Sequence, residues 1–333
     1  MGDNLENNEE IKVDVLMVTY NQEKYISQAI ESVLMQKCSF KYRIIIGEDC
    51  SFDNTLNICK YYEDKYPEKI LLINNKINIG IAANYKNIFN ASKSKYIALL
   101  EGDDYWIDPY KLQKQVDILT YDNTIGLVHT GYNVIYEDGT TKKRHILVDH
   151  IKLKGNIVEN LLYENCIGPL TTCFKSEIIK NYIDFNYFIN NKYKTIDYAI
   201  WLEISANSKI YYLDEVTGIY RNIKSSISNT VNGKDIIAFY NTAFDVYNKF
   251  FTKYPQFLYC KMKVINALYI SIINSLILTE NYDYAQMFIS KLEVNNLTSL
   301  LYKFTFKKEI FLKMYKYYRE IMSNIKQKAL RII

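Results

Sequence analysis

The chain has 333 residues, of which 49% are hydrophobic and 23% charged, with a formal net charge of +4. That length supports one or two globular domains with a sizeable core, and so small a charge gives no sign of a nucleic-acid partner, so none is expected. Six cysteines without a CxxC pair, a polar N-terminus without a secretory signal and only three histidines exclude a disulfide framework, a His-rich metal site and a Ser/His/Asp triad, and predict a cytoplasmic protein with reduced thiols.

Residues 1–10 are polar and acidic and read as a disordered tail. Four short apolar runs follow, Val13 to Thr19, Tyr42 to Gly47, Ile70 to Ile73 and Tyr96 to Leu100. Helical spacing separates them, with Ile26, Ile30 and Val33 after the first run and Leu56, Cys59, Tyr62 and Tyr66 after the second. Alternating strand and helix predict an α/β domain over residues 11–228 with a doubly wound, mostly parallel sheet. Ligands of such sheets bind beyond the carboxyl ends of the strands. Those ends carry Thr19-Tyr20-Asn21-Gln22-Glu23, Glu48-Asp49-Cys50-Ser51, Asn78-Ile79-Gly80 and Glu101-Gly102-Asp103-Asp104. No GxGxxG or GxxxxGK loop is present, so a metal rather than a cradle of helix amides would have to manage phosphates.

The fourth end is the sharpest signal. A buried strand delivers three carboxylates within four residues to one point, and like charges this close suit a divalent cation, Mn²⁺ or Mg²⁺, carrying substrate phosphates. The bland alternative is an acidic loop that caps the next helix. Asp108-Pro109 is expected to cap that helix already, which leaves Asp103 and Asp104 spare.

Beyond residue 122 the spacing predicts a hairpin, Ile125 to Tyr136 and Lys142 to Leu147, around Glu137-Asp138-Gly139. A helix is expected over Asn156 to Tyr163, a strand over Leu170 to Lys175, a helix capped by Ser176, and a further helix over Ile196 to Ala206. Tyr211 to Leu213 reads as a strand, ahead of Gly218-Ile219-Tyr220-Arg221. The polar stretch 225–232 marks a boundary, and 233–333 is predicted to be an all-helical C-terminal domain. Val264 to Leu278 is too short and too polar to span a membrane and reads as a buried helix. The last helix, about Phe306 to Ala329, is amphipathic and basic. Residues 303–331 hold nine Lys or Arg against two Glu.

In order along the chain these motifs resemble the family 2 glycosyltransferases, inverting enzymes of the GT-A fold that build bacterial surface glycans. The resemblance covers residues 13 to about 226. It implies that Thr19, Tyr20, Asn21, Glu23 and Asp49 meet the nucleotide, with Cys50 where glycine is common, a change of small expected consequence. It implies further donor contacts from Asn78, Gly80, Asn84, Glu101 and Gly102. The Asp-x-Asp metal motif of the family corresponds to Glu101-Gly102-Asp103, which makes Asp103 and then Asp104 the metal ligands. The catalytic base corresponds to Asp197 in Asp197-Tyr198-Ala199-Ile200-Trp201-Leu202, and the closing Tyr-Arg to Tyr220-Arg221. A nucleotide-sugar donor, a uridine diphosphate sugar by the habit of the family, and a glycan or lipid-linked oligosaccharide acceptor are the implied partners.

Several alternatives stay open. Asp197 is read as the base ahead of its alternative, a plain helix N-terminal acid. Arg221 can contact diphosphate or acceptor, or make a structural salt bridge. Trp106 and Trp201 read as core. Thr171 and Thr172 are candidates for specificity. The basic terminal helix can lie on an anionic membrane surface or pack on the protein. A sugar nucleotidyltransferase would need a Gly-rich, Lys-bearing loop that Gln22-Glu23-Lys24 does not supply. A non-catalytic scaffold of a glycan assembly complex would be expected to have lost some of its carboxylates.

Overall fold

The computed structural model describes residues 11–143, 153–223, 231–293, 299–300, 302–303 and 311–319. The expected tail at 1–10, the far half of the hairpin strand at 144–147, the boundary stretch through 230 and the ends of the terminal helix lie outside the described residues. The chain divides into two compact units at Lys224/Ser225.

The first unit is built on β1 (Val13–Thr19), β2 (Tyr42–Glu48), β3 (Ile70–Asn74) and β4 (Tyr96–Leu99). All seven residues of β1 are buried, because β-branched and aliphatic side chains on both faces are covered by crossover helices. Those helices are α1 (Ile26–Leu34), α2 (Thr55–Lys65) and α3 (Ile81–Ala91). The parallel register sets Val13 opposite both Tyr42 and Tyr96, Thr19 opposite Glu48, and Glu48 opposite Asn74. The carboxyl ends of β1, β2 and β3 are therefore level, and β4 ends opposite Leu16 with its loop bonded back to Val18, which puts all four loops on one edge.

The chain continues through β5 (Tyr105–Trp106), α4 (Lys111–Tyr121), β6 (Ile125–Tyr136), β7 (Thr141–Lys143) and α5 (Val158–Tyr163). Then come β8 (Cys173–Lys175), α6 (Ser176–Tyr182), α7 (Phe185–Asn190), α8 (Asp197–Asn207) and β9 (Lys209–Asn222). The sheet order is β3-β2-β1-β4-β8-β6-β9-β5, with β7 on the side of β6. β8 is antiparallel to both β4 and β6, so the doubly wound half is parallel and the other half mixed.

Three local expectations are corrected. The strand expected from Leu170 begins only at Cys173, because Pro169–Thr171 forms a 3₁₀ turn in which the Thr171 and Thr172 hydroxyls donate to the carbonyls of Gly168 and Pro169. Both threonines are fully buried and face no ligand surface. Ser176 lies inside α6 and makes no side-chain cap. Asp108, three residues ahead of α4, accepts the Tyr110 amide at 2.9 Å, so it closes the turn that leads into the helix rather than capping its first residue.

The second unit is helical where it is described. α9 (Gly233–Lys253) starts at Asn232, whose side chain accepts the Lys234 amide. A 3₁₀ turn at Pro255–Cys260 leads into α10 (Lys261–Leu278), which is followed by α11 (Tyr282–Lys291). α10 buries Val264, Leu268, Ile272, Ile273, Leu276 and Ile277, and its buried Asn266 side chain bonds both the amide and the carbonyl of Glu293. The apolar stretch is longer than the sequence pattern suggests. With the preceding turn, Pro255–Leu278 has the length and composition to cross a membrane, although much of it is buried within this helical unit.

Candidate active site

Loop packing at the carboxyl edge begins with Asn21, held at φ +53°. Its side chain accepts the Phe52 amide and its own amide donates to Ser51. Glu23 accepts the Asn54 amide and donates its own to Asp53. These two predicted donor contacts thus tie the loop after β1 to the loop after β2. Tyr20 stands above them, exposed, its ring edge-on to the exposed Phe52 at 6.3 Å. The pair forms an aromatic wall fit for a base.

Glu48 is fully buried and accepts the amides of Cys50 and Ser51. That turn holds Cys50 at φ +61°, the left-handed region where a side chain is strained, so the cysteine in place of glycine is costlier than the sequence suggests. Asp49 accepts the Ile79 and Gly80 amides, both at 2.9 Å, and the Asn75 side chain at 3.1 Å. Gly80, at φ +82° and ψ 161°, has a backbone open to glycine alone and starts α3. Asn84 is buried and donates to the Gly47 carbonyl at 2.8 Å, which makes it a strut between α3 and β2. Asn78 is exposed on the loop. Asn75, which sequence reasoning passed over, links Asp49, Asn84 and Asn87.

The acidic loop follows β4. The Gly102 amide donates to Val18, and a Cβ at Gly102 would lie 2.5 Å from the Gln22 side chain and 2.9 Å from the Thr19 hydroxyl. Glycine is needed because the loop crosses directly over the Thr19–Gln22 hydrogen bond. One oxygen each from Glu101, Asp103 and Asp104 lies within 4.8 Å of the others. Asp104 is not spare. It is 2% exposed and accepts the Arg221 amide at 2.8 Å, which anchors the loop to β9. Burial, and then the charges of Asp103 and Asp197, push Glu101 up to about 8. Burial likewise raises Asp103, against the opposing pull of its backbone hydrogen bond and Arg221. Asp104 rises well above the usual carboxylate range through burial and its two acidic neighbours. Hard oxygen donors that resist ionising together are a fitting set for a divalent cation.

Asp197 is the first residue of α8, and its charge acts on both Glu101 and Tyr85, which brings it to the acidic cluster across 96 residues of sequence. Burial raises its pKa, opposed by the Tyr198 amide and the Asn165 side chain. Asn165 has its carbonyl oxygen on the Ile167 amide at 3.3 Å, so its NH₂ group is the part that faces the carboxylate. Tyr85 donates to Glu101 at 3.3 Å. Arg221 donates to the Asp103 carbonyl and to Gln28, with its guanidinium 4.5 Å from the Tyr105 ring centroid and 5.0 Å from that of Tyr25. Its grip is on the main chain of the acidic loop. Trp106 and Trp201 are both buried, as expected of core residues.

A doubly wound sheet whose edge ends in such a carboxylate cluster, opposite a helix that opens on an acid, defines the class of GT-A glycosyltransferases. The profile described as Glycosyl transferase family 2 matches residues 14–186, over half of the chain, and the chain belongs to that family. It is 30% identical over 210 residues to an uncharacterised Mycobacterium bovis protein, covering 63% of this chain and 58% of that one, so it spans well under two thirds of that relative's length. It is 28% identical to the Escherichia coli UDP-Glc:alpha-D-GlcNAc-diphosphoundecaprenol beta-1,3-glucosyltransferase WfgD, over 65% of this chain and 79% of that one. Its fold is similar to that of the mannosyltransferase PcManGT from Pyrobaculum calidifontis, solved with GDP-Man and Mn²⁺, at TM-score 0.58 and 14% identity over 95% of this chain and 84% of that one.

Proposed function

We propose that the protein transfers a sugar from a uridine diphosphate donor to a hydroxyl of a glycan or lipid-linked acceptor, with inversion, in surface polysaccharide synthesis on the cytoplasmic side of the membrane. The observation that carries this reading is the pairing of the Glu101, Asp103 and Asp104 oxygens, within 4.8 Å of one another, with Asp197 near enough to perturb Glu101. The relative that acts on UDP-Glc and the fold neighbour that holds Mn²⁺ support the choice of donor and cation.

Asp103 and Asp104 are the residues that would hold Mn²⁺ or Mg²⁺. Bound there, a divalent cation would supply positive charge against the diphosphate leaving group. Tyr20 and Phe52 flank the base, and Thr19 and Asp49 lie beneath the nucleotide. Asp197 takes the proton of the acceptor hydroxyl as its oxygen attacks the anomeric carbon. The bond from that carbon to the diphosphate breaks on the opposite face, and configuration inverts. Asn165 aims the carboxylate and favours its ionised form.

Base and metal sites separate in a single experiment. Asp103→Asn should abolish cation-dependent binding of uridine diphosphate in a calorimeter. Asp197→Asn should bind the donor normally and lose about 10²-fold or more in transfer, because a base acts only in the transition state. A product with retained configuration, or full activity in either variant, would sink the assignment.

A further inference from the structure

Gln22 stands in the loop between β1 and α1, and nearly every polar group it owns is committed to the fold. Its amide donates to the Thr55 hydroxyl at 2.8 Å, at the start of α2. Its carbonyl accepts the amides of Tyr25 and Ile26, both at 2.9 Å, which opens the first turn of α1. Its side-chain oxygen accepts the Thr19 hydroxyl at 2.8 Å. Thr19 is buried and fixed in turn, since its carbonyl accepts the Asp49 amide at 3.1 Å. The group left over is the side-chain NH₂, and it donates to the carboxylate of Asp103.

The acidic loop is laid directly on this pair. The Gly102 amide donates to the Val18 carbonyl at 3.0 Å, and the Gln22 side-chain oxygen comes so near Gly102 that a Cβ there would lie 2.5 Å from it. Asp103 follows at once, and its own amide is the second hydrogen-bond donor to its carboxylate. The guanidinium of Arg221 takes the main-chain carbonyl of Asp103 instead. Both donors to the carboxylate are therefore uncharged. An uncharged donor orients a carboxylate without setting a like charge beside a cation, whereas a Lys or Arg in its place would compete with the ion.

We propose that Gln22 is a positioning residue for the cation site: pointed by Thr19, its side-chain amide holds the Asp103 carboxylate in the orientation that binds Mn²⁺ or Mg²⁺. The loop that meets the nucleotide thereby also sets a metal ligand. This deepens the metal-dependent reading above and rests on it. Partners that orient a ligating carboxylate from behind are worth about 10- to 100-fold in metal affinity.

The test titrates Mn²⁺ into the full chain, alone and with uridine diphosphate, and follows the loss of the sharp electron paramagnetic resonance signal of the free ion. Gln22→Met keeps the length of the side chain and removes its amide, and should weaken Mn²⁺ binding about tenfold or more. Thr19→Val should weaken it about twofold or more by itself and add nothing in the Gln22→Met background, because the hydroxyl acts through the amide. Urea midpoints of the same proteins separate this from a packing role, which would lower the midpoint and leave the ion affinity alone. A loss of less than about tenfold in Gln22→Met overturns the proposal and leaves the metal reading standing. Thr19→Val without effect, or losses that add in the double variant, overturn the part assigned to Thr19. Wild-type protein that takes up no Mn²⁺ in either titration overturns the metal reading and this proposal with it.

Discussion

Lys111 lies fully buried, its ammonium 2.7 Å from the Gln115 side-chain oxygen and 4.2 Å from the Trp106 ring centroid. Burial pulls it from 10.5 down to about 7, with Cys173 and Asp108 opposing. Between those two values the unfolded chain keeps a proton that the folded chain has released, so this residue makes stability rise with pH across the window. Lys111→Met removes that dependence. The wild-type and variant slopes of unfolding free energy against pH, from urea titrations between pH 7 and 9, should differ by up to about 1.4 kcal/mol per pH unit. Parallel slopes would show that the amine titrates normally. Nothing in the sequence marked this lysine, because Lys111-Leu112-Gln113-Lys114-Gln115 reads as the polar face of a helix. Only the fold shows that Gln115 donates to the carbonyls of Val128 and Thr171 and so draws the ammonium inward.

The elements of the parallel half depend on close approach between helix and strand. A Cβ at Gly47 would lie 2.4 Å from the Asn84 side-chain oxygen and 2.7 Å from Ile88, in the seam between β2 and α3. Gly47→Ala should therefore cost about 1–3 kcal/mol as overpacking. Because Asn75 ties Asn84 to Asp49, it should also weaken nucleotide binding, read by the urea midpoint and by calorimetry together. An unchanged midpoint would mean that α3 shifts freely. The four parallel strands were legible because each is a short β-branched run closed by polar residues. Of β9 only Tyr211 to Leu213 was read as a strand, since Asp214 and Glu215 interrupt its apolar pattern. In the fold Glu215 pairs with Lys114, and the strand runs on beside β6 through a bulge. β5 is only two residues long and had no periodicity to show. The clustering of acids after β4 was legible from residue type and order, and Asp197 was singled out only through the family resemblance. Asn75, Tyr85 and Asn165 were not, because a side chain that orients another carries no local pattern.

At the scale of the whole molecule, the proposed lipid-linked acceptor would require the enzyme to meet a membrane surface. Residues 303–331 carry nine basic residues against two acidic ones. In the helix at 311–319, Leu312 is buried and Tyr315 bonds Tyr302, so that face is committed to the helical unit. Lys316 pairs with Glu280, and Lys313 lies over the Tyr282 ring. Phe311, Met314, Tyr317 and Tyr318 are left exposed together, at helical spacing. An aromatic face flanked by a strongly basic segment fits the boundary of an anionic bilayer, where apolar insertion and charge attraction add. The full chain should sediment with vesicles containing anionic lipid and stay in solution with neutral ones, and about 0.5 M salt should release much of it by screening. Replacing Phe311, Met314 and Tyr318 together by Ser should lower partitioning to anionic vesicles about tenfold while calorimetric binding of uridine diphosphate stays unchanged. Equal sedimentation of the two proteins would mean that this face serves the fold of the helical unit and not a membrane.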